Sequence, residues 1–163
     1  MAIKRMNHAV LYVRDAETTW EFYRDVFGFR VVMEMPGAKF LQAPDSDNDH
    51  DLGLFSIGDA AGTSMAGRQT VGLYHIAWEV QTLEDLKGIA QKLAATGALT
   101  GATDHSTTKA LYGRDPDGLE FEVCWIVPKE LQTSETEEGR SRMRALDIDA
   151  EIERYGLQTV GGV

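Results

Sequence analysis

The chain holds a single cysteine, Cys124, among 163 residues. That excludes an intrachain disulfide and, with it, a small fold held together by cross-links. It fits a reducing compartment. Cys124 sits in a strand pattern, which assigns it to packing rather than to thiol chemistry. Long apolar runs are missing too. No window approaches the roughly 20 residues of a membrane-crossing helix, and the N-terminal stretch lacks the apolar centre of a secretory signal. The expected location is therefore cytoplasmic. Positive charge is the third shortage: 16 Lys and Arg stand against 26 Asp and Glu, a formal charge of −10. Such a balance argues against nucleic acid or an anionic membrane as the main partner. What remains, 43% hydrophobic and 26% charged residues, is the make-up of a soluble globular domain with a core of its own.

The most informative stretch runs from Leu111 to Trp125. It predicts two strands joined by a tight turn at Asp115-Pro116-Asp117-Gly118. Proline fixes φ at the second turn position, and glycine accepts a left-handed closing conformation. Past the turn, Leu119, Phe121, Val123 and Trp125 alternate with Glu120, Glu122 and Cys124, the pattern of a half-buried strand. Glu122 falls on the face opposite the apolar one. There it either meets water or holds a cation in a concave site.

Two histidines bear on that choice. His8 sits in a strand in which Ala9, Leu11 and Val13 form one face, and it shares the other with Val10 and Tyr12. His75 lies opposite Tyr74, Ile76, Trp78 and Val80, on the side of Ala77 and Glu79. Each of the three residues thus projects from a strand away from the face best suited to covering helices. Two neutral imidazoles and one carboxylate make the facial triad that suits non-haem Fe(II), with coordination positions left open. The same donors can hold catalytic Zn(II).

Taken in order, the chain repeats itself once. A strand near 3–13 leads into a helix with Asp15 as N-cap, an apolar stripe of Thr19, Phe22, Tyr23 and Val26, and a stop at Gly28. Strands follow near 29–35, 38–43 and 51–57. The second half begins with a strand near 72–81. A helix follows, with Thr82 and Asp85 as a capping box, a stripe of Leu83, Leu86, Ile89, Ala90 and Leu93, and a stop at Gly97. Strands near 98–104, 107–114 and 118–127 complete it. Setting His8 over His75 also sets Val13 over Val80 and Glu17 over Glu84, as a repeated structural unit would. The expected fold class is α+β: two βαβββ modules forming a cup-shaped, curved mixed sheet with helices outside, plus a helical C-terminal extension. The modules are placed at 1–60 and 71–127, with a Gly-, Ala- and Ser-rich mobile linker at 61–70 and the extension at 128–163. In the extension, Met143, Leu146, Ile148, Ile152 and Tyr155 predict one short amphipathic helix. It is expected to pack on the domain or on a second subunit, or else to cover the cup. Gly161 to Val163 are expected to fray. Exposed sheet edges invite pairing as a homodimer or higher homo-oligomer.

The double βαβββ pattern, with His8, His75 and Glu122 in these strands, resembles the vicinal oxygen chelate superfamily (glyoxalase, bleomycin resistance, dioxygenase) over roughly residues 3–127. Further segments resemble the catalytic domain of type I extradiol, catechol 2,3-dioxygenase-like ring-cleavage enzymes. These are His50-Asp-Leu-Gly-Leu-Phe55, Asp104-His-Ser-Thr-Thr-Lys-Ala-Leu-Tyr112, and Tyr-x-x-Asp-Pro-x-Gly from Tyr112 to Gly118 with Glu122 four residues on. Those dioxygenases usually carry two such double-module domains, whereas this chain has room for one. The glyoxalase I branch typically adds a carboxylate ligand in the first half. Here the residue aligned with Glu122 is Phe55, beside Leu54, and neither binds a metal.

The resemblance implies His8, His75 and Glu122 as metal ligands, with Fe(II) as the metal and Mn, Zn or Ni as alternatives. It implies His50 as an acid/base group on the oxygen side, and His105 and Tyr112 as the residues that orient and deprotonate a catecholic small molecule. O2 is the second substrate and ring cleavage beside the diol the outcome. Other readings stay open. The residues also suit a glyoxalase-like lyase, isomerase or thiol transferase on another divalent metal, or a binding protein without turnover. His50 and His105 equally suit loop or turn positions, Tyr112 a plain strand position, and Arg114 and Asp115 a turn scaffold.

Overall fold

A computed structural model describes residues 2–66 and 69–162. The chain divides into two compact units. One comprises residues up to Met65 together with Asp115–Gly118, the other Ala66–Arg114 and Leu119 onward.

In the first unit, β1 (Ala9–Val13), α1 (Ala16–Phe27), β2 (Arg30–Met35), β3 (Ala38–Gln42) and β4 (Leu52–Ser56) follow one another. Their sheet runs β1-β4-β3-β2, with β1 and β4 parallel and the other pairs antiparallel. Helix α1 starts where the Asp15 carboxylate accepts the Glu17 N–H at 3.0 Å. It ends at Gly28, whose φ of 78° only glycine adopts without strain. Leu11, Val13, Tyr23, Val26, Leu41, Leu52 and Leu54 are buried and form the core of this unit.

The second unit repeats the order with β5 (Ile76–Glu79), α2 (Leu83–Thr96), β6 (Leu99–Asp104), β7 (Thr108–Arg114) and β8 (Glu120–Ile126). Its sheet, β5-β8-β7-β6, has the same arrangement, parallel between its first and last strands. Even the register shift recurs, in β2 between Val31 and Met33 and in β6 between Leu99 and Gly101. The Thr82–Asp85 capping box is complete. Leu86, Leu93, Leu111, Phe121, Val123 and Trp125 are buried. The two βαβββ modules are therefore present, in an α+β fold whose sheets are both open. Between β7 and β8, the Gly118 N–H donates to Asp115 O at 2.9 Å and φ at Gly118 is 81°. The turn closes as its residues predict.

Four expectations need correction. The first strand begins at Ala9 rather than near residue 3, because its partner β4 begins at Leu52 and Ile3 is 94% exposed. The strand expected near 72–81 is confined to Ile76–Glu79, the span that β8 pairs. The single C-terminal helix is replaced by short pieces. These are 3-10 turns at Lys129–Leu131 and Gly139–Ser141, α3 (Ser134–Glu138), β9 (Arg144–Ala145) and α4 (Ile148–Tyr155). Met143 is 81% exposed, and β9 caps the free edge of β6. Finally, Gly161 and Gly162 are tied down: their N–H groups donate to Gln81 O at 2.8 Å and Ile126 O at 3.0 Å. A Cβ at Gly161 would stand 2.5 Å from the Trp125 indole nitrogen, so the backbone fits there because the residue is glycine. Val163, and residues 67 and 68 of the expected linker, lie outside the described residues.

The extension packs on the second unit. Helix α4 lies against α2, with Lys87 bonded to Asp149 at 2.6 Å and Trp125 facing the Tyr155 ring at 5.5 Å. Beneath it Lys109, 1% exposed, is held by Asp104 at 2.5 Å and Glu151 at 3.0 Å. No helix among the described residues is long and apolar enough to cross a membrane.

Candidate functional site

In the second unit, the ladder sets Ala77 of β5 and Tyr112 of β7 on either side of Glu122 in β8. Because side chains alternate along a strand, Glu122 faces away from buried Phe121 and Val123. His75 stands one residue before β5, and its Nε2 comes within 3.1 Å of Glu122 Oε2. Both are largely enclosed, at 25% and 14% side-chain exposure. His75 Nδ1 is buried with no hydrogen-bond partner among the described residues. The Tyr112 hydroxyl lies 2.9 Å from His105 Nε2, and its ring meets that of His75 edge-on at 6.0 Å. Burial, followed by the nearby Glu122 carboxylate, pushes the Tyr112 hydroxyl up to about 12. It therefore stays protonated near neutral pH. Burial, with Glu122 and Glu79 adding, likewise pushes the Cys124 thiol up to about 12.

In the first unit, His8 precedes β1 and His50 precedes β4. The parallel pairing of those strands brings the two rings to 4.4 Å between centroids. His8 Nδ1 meets Asn7 Oδ1 at 2.7 Å, and His50 Nδ1 meets Asp49 Oδ2 at 2.8 Å. Both partners are acceptors, so Nδ1 carries the proton and the neutral rings keep their lone pair on Nε2, the tautomer of a metal ligand or proton acceptor. Phe40 packs against His50 edge-on at 5.1 Å. The sheet face shared by His8, Val10 and Tyr12 is apolar and open: Val10 and Tyr12 are exposed, and Phe40 and Phe55 half-buried.

All four histidines of the chain thus fall into two groups. His75, Glu122, His105 and Tyr112 gather in the second unit, and His8 with His50 in the first. Among the described residues, no three histidine, cysteine, aspartate or glutamate side chains form a ready metal cage. The His75–Glu122 pair nevertheless fits a divalent ion. Donors about 2.1 Å from one ion at a right angle lie about 3 Å apart, close to the separation found here. Arg114 and Asp115 serve the turn: Arg114 pairs with Glu120 at 2.8 Å, and Asp115 Oδ1 accepts the Asp117 N–H. Sequence reasoning missed the residue before each of three histidines. Asn7 and Asp49 bond their rings, and Tyr74 packs on His75 at 4.6 Å. A polar or aromatic neighbour directly preceding each candidate histidine was the available signal.

Comparison with known proteins identifies the family. The family model described as Glyoxalase/Bleomycin resistance protein/Dioxygenase superfamily matches residues 5–123. Catechol-2,3-dioxygenase of Bacillus subtilis (strain 168) is 29% identical over 153 residues, 93% of this chain and 52% of that protein. Biphenyl-2,3-diol 1,2-dioxygenase 3 of Rhodococcus globerulus is 34% identical over 120 residues, 73% of this chain and 62% of that protein. The chain therefore spans about half the length of the curated relatives it matches. Among solved structures, a glyoxylase/bleomycin resistance protein/dioxygenase domain from Frankia sp. EAN1pec superposes with a TM-score of 0.61 at 21% identity, covering 76% of this chain and 92% of its own. A variant of the fosfomycin resistance protein FosX from Listeria monocytogenes, complexed with Mn(II) and 1S,2S-dihydroxypropylphosphonic acid, gives 0.59 at 20%, covering 86% and 100%. At these identities the structures share the fold alone.

Proposed function

The chain belongs to the Glyoxalase/Bleomycin resistance protein/Dioxygenase superfamily, and we propose that it is an extradiol-type dioxygenase cleaving the ring of a catecholic small molecule with O2. The observation that carries this reading is the pairing on one sheet face of a His75–Glu122 donor couple with a His105–Tyr112 proton-handling couple. Similarity to two diol-cleaving dioxygenases supports the substrate class.

In this proposal His8, His75 and Glu122 hold a divalent ion, Fe(II) first and Mn(II) second. When bound, the ion supplies Lewis acidity toward the two diol oxygens and a redox path to O2. The chain's own residues do the rest. The Tyr112 hydroxyl accepts a hydrogen bond from a diol O–H, donates its own to His105 Nε2 and so fixes the ring's orientation. His105, bonded to that hydroxyl, takes the diol proton as general base. His50, with Nδ1–H turned to Asp49, keeps Nε2 free to accept and return a proton on the oxygen side.

The test is anaerobic loading with Fe(II), then oxygen uptake with several catechols. A yellow ring-fission product with stoichiometric oxygen demand is expected. Metal retention with no oxygen demand would replace the reading with a lyase, isomerase or transferase on the same fold. Ligand binding that survives loss of metal would replace it with a binding protein.

A further inference from the structure

At the end of β6, the loop after it and the C-terminal segments of the second unit enclose a small polar cavity. Arg142, Arg144 and Arg154 line it, with Asp104, Glu135 and Ser106. The three arginines come from different elements. Arg142 follows the 3-10 turn Gly139–Ser141, Arg144 lies in β9, and Arg154 in the last turn of α4. Pairing of β9 with β6 sets Arg144 directly opposite Asp104.

These arginines differ from several basic residues of the chain. Lys39, Lys109 and Arg114 each lie within ion-pair distance of a carboxylate. Among the described residues, Arg142, Arg144 and Arg154 make no such pair; Arg154 rests over the Tyr155 ring at 5.0 Å instead. Asp104, opposite Arg144, offsets part of that charge without a direct ion pair. Its Oδ1 accepts from the Ser106 N–H at 2.7 Å and from Lys109 Nζ at 2.5 Å, so it is already committed. In a chain of charge −10, three guanidinium groups against the two carboxylates of Asp104 and Glu135 leave this lining net positive where the average field is negative. Ser106 adds a second mark. It is the one non-glycine among the described residues with a left-handed φ, 70°, and strain of this kind gathers at binding sites.

The cavity measures ≈ 30 Å³, room for two or three water-sized positions. That admits one oxyanion. A planar carboxylate is satisfied by a single guanidinium fork, whereas three forks from three elements suit a group with oxygens on several sides. We propose that this cavity binds a phosphate-type oxyanion, either free or as the phosphate end of a small molecule. The bound group bridges β9 and α4 and so fastens the C-terminal segments to the second unit. Asp104 and Ser106 flank His105, but none of the three arginines takes part in the diol chemistry proposed above.

The experiment follows the thermal unfolding midpoint of the whole protein during titration with inorganic phosphate, at ionic strength held constant with chloride. Methyl phosphate and malonate are titrated in parallel. A saturable rise with phosphate and none with malonate is expected, and methyl phosphate reports whether an esterified group is accepted. Arg144→Gln and Arg154→Gln, both at exposed positions, should weaken phosphate binding at least ten-fold. Arg140→Gln, whose side chain pairs with Glu137, should leave it unchanged. A rise that never saturates, a rise that persists in Arg154→Gln, or tighter binding of malonate than of either phosphate would overturn the proposal.

Discussion

The imidazole Nε2 of His75 and the carboxylate Oε2 of Glu122 meet at 3.1 Å across the parallel edge of β5 and β8. Without a metal the two atoms stand in direct polar contact. With a metal, the same two atoms would become neighbouring donors, Nε2 offering its lone pair with the ring's proton on Nδ1. Metal uptake should fall away as pH drops, because protons compete with the metal for both donors. Glu122→Gln keeps the shape but removes the charge, and His75→Ala removes the nitrogen. Each should lower bound iron by at least ~10-fold, the lower end of the effect of losing even an outer partner of a ligand. Elemental analysis of protein purified without chelator checks this. Full metal content in Glu122→Gln would remove that residue from the ligand set.

Tyr112 and His105 should affect turnover without touching metal content. The hydroxyl of Tyr112 lies 2.9 Å from His105 Nε2, and a placed acid/base group typically accelerates a reaction by about 10²–10⁴-fold. Tyr112→Phe deletes only the hydroxyl, so kcat should fall by roughly 10²-fold with iron retained. His50→Ala should also suppress turnover and spare the metal. Loss of iron in His50→Ala would show that His50 is a ligand and not a proton carrier.

Much of this was legible in the chain because the deciding interactions are local. Asp15 and Gly28 bracket α1, and Thr82, Asp85 and Gly97 bracket α2, since a cap needs only residues a few positions away. Alternation along β8 identified the apolar face, and with it the face of Glu122. What escaped depends on remote partners. Nothing near Ile3 says that β4 begins at Leu52 and leaves residues 3–8 unpaired. A strand as short as Arg144–Ala145 carries no periodicity; it exists because β6 has a free edge. Gly161 looked like a frayed end because its slot is formed by Trp125 and Ile126, far away in sequence. Lys109 gave no sign that it would be buried, since the carboxylate of Glu151 reaches it only once α4 has docked.

Cys124 should be silent toward thiol reagents in the native protein. It is 7% exposed, and burial, with Glu122 and Glu79 nearby, keeps its thiol protonated up to about 12. A released cysteine ionises near 8.5. A thiol-reactive dye at pH 8 should then label the unfolded chain within minutes and the folded chain only as fast as it opens. Because the native value is the raised one, this group contributes stability that is complete below about pH 8.5 and declines above it. Prompt labelling of the native protein would contradict the burial.

The same docking gives a test at Gly161. Its N–H donates to Gln81 O, and an added Cβ would stand 2.5 Å from the Trp125 nitrogen and 2.6 Å from Ile126 O. One contact is with backbone, which cannot swing aside. Gly161→Ala should therefore cost about 1–3 kcal/mol, the usual effect of overpacking. A fluorescence change should accompany it, since the indole would have to move or the tail detach. An unfolding midpoint and emission spectrum equal to those of the native chain would mean the tail is not seated there.

Lys109 makes the acid limb of stability predictable. Its ammonium is buried between Asp104 at 2.5 Å and Glu151 at 3.0 Å. Burial works to raise the Asp104 carboxyl, but Lys109 and the Ser106 amide outweigh it and hold that carboxyl below its ordinary range. A depressed native value means the folded state binds the proton less readily than the unfolded state. The resulting stability is fully present above about pH 4 and is lost as pH falls through the lowered native value. Asp104→Asn should therefore be less stable at pH 7 and should flatten the decline below pH 4. Glu151→Gln leaves the ammonium one carboxylate, short of the 3–5 kcal/mol typical for stranding a buried charge, so roughly 1–3 kcal/mol is expected. Lys109→Met, which removes the buried charge itself, should destabilise less than Asp104→Asn if Asp104 retains the Ser106 amide as partner. Urea unfolding of the three variants between pH 3 and 7 decides the matter, and an acid limb unchanged in Asp104→Asn would show that this cluster does not govern it.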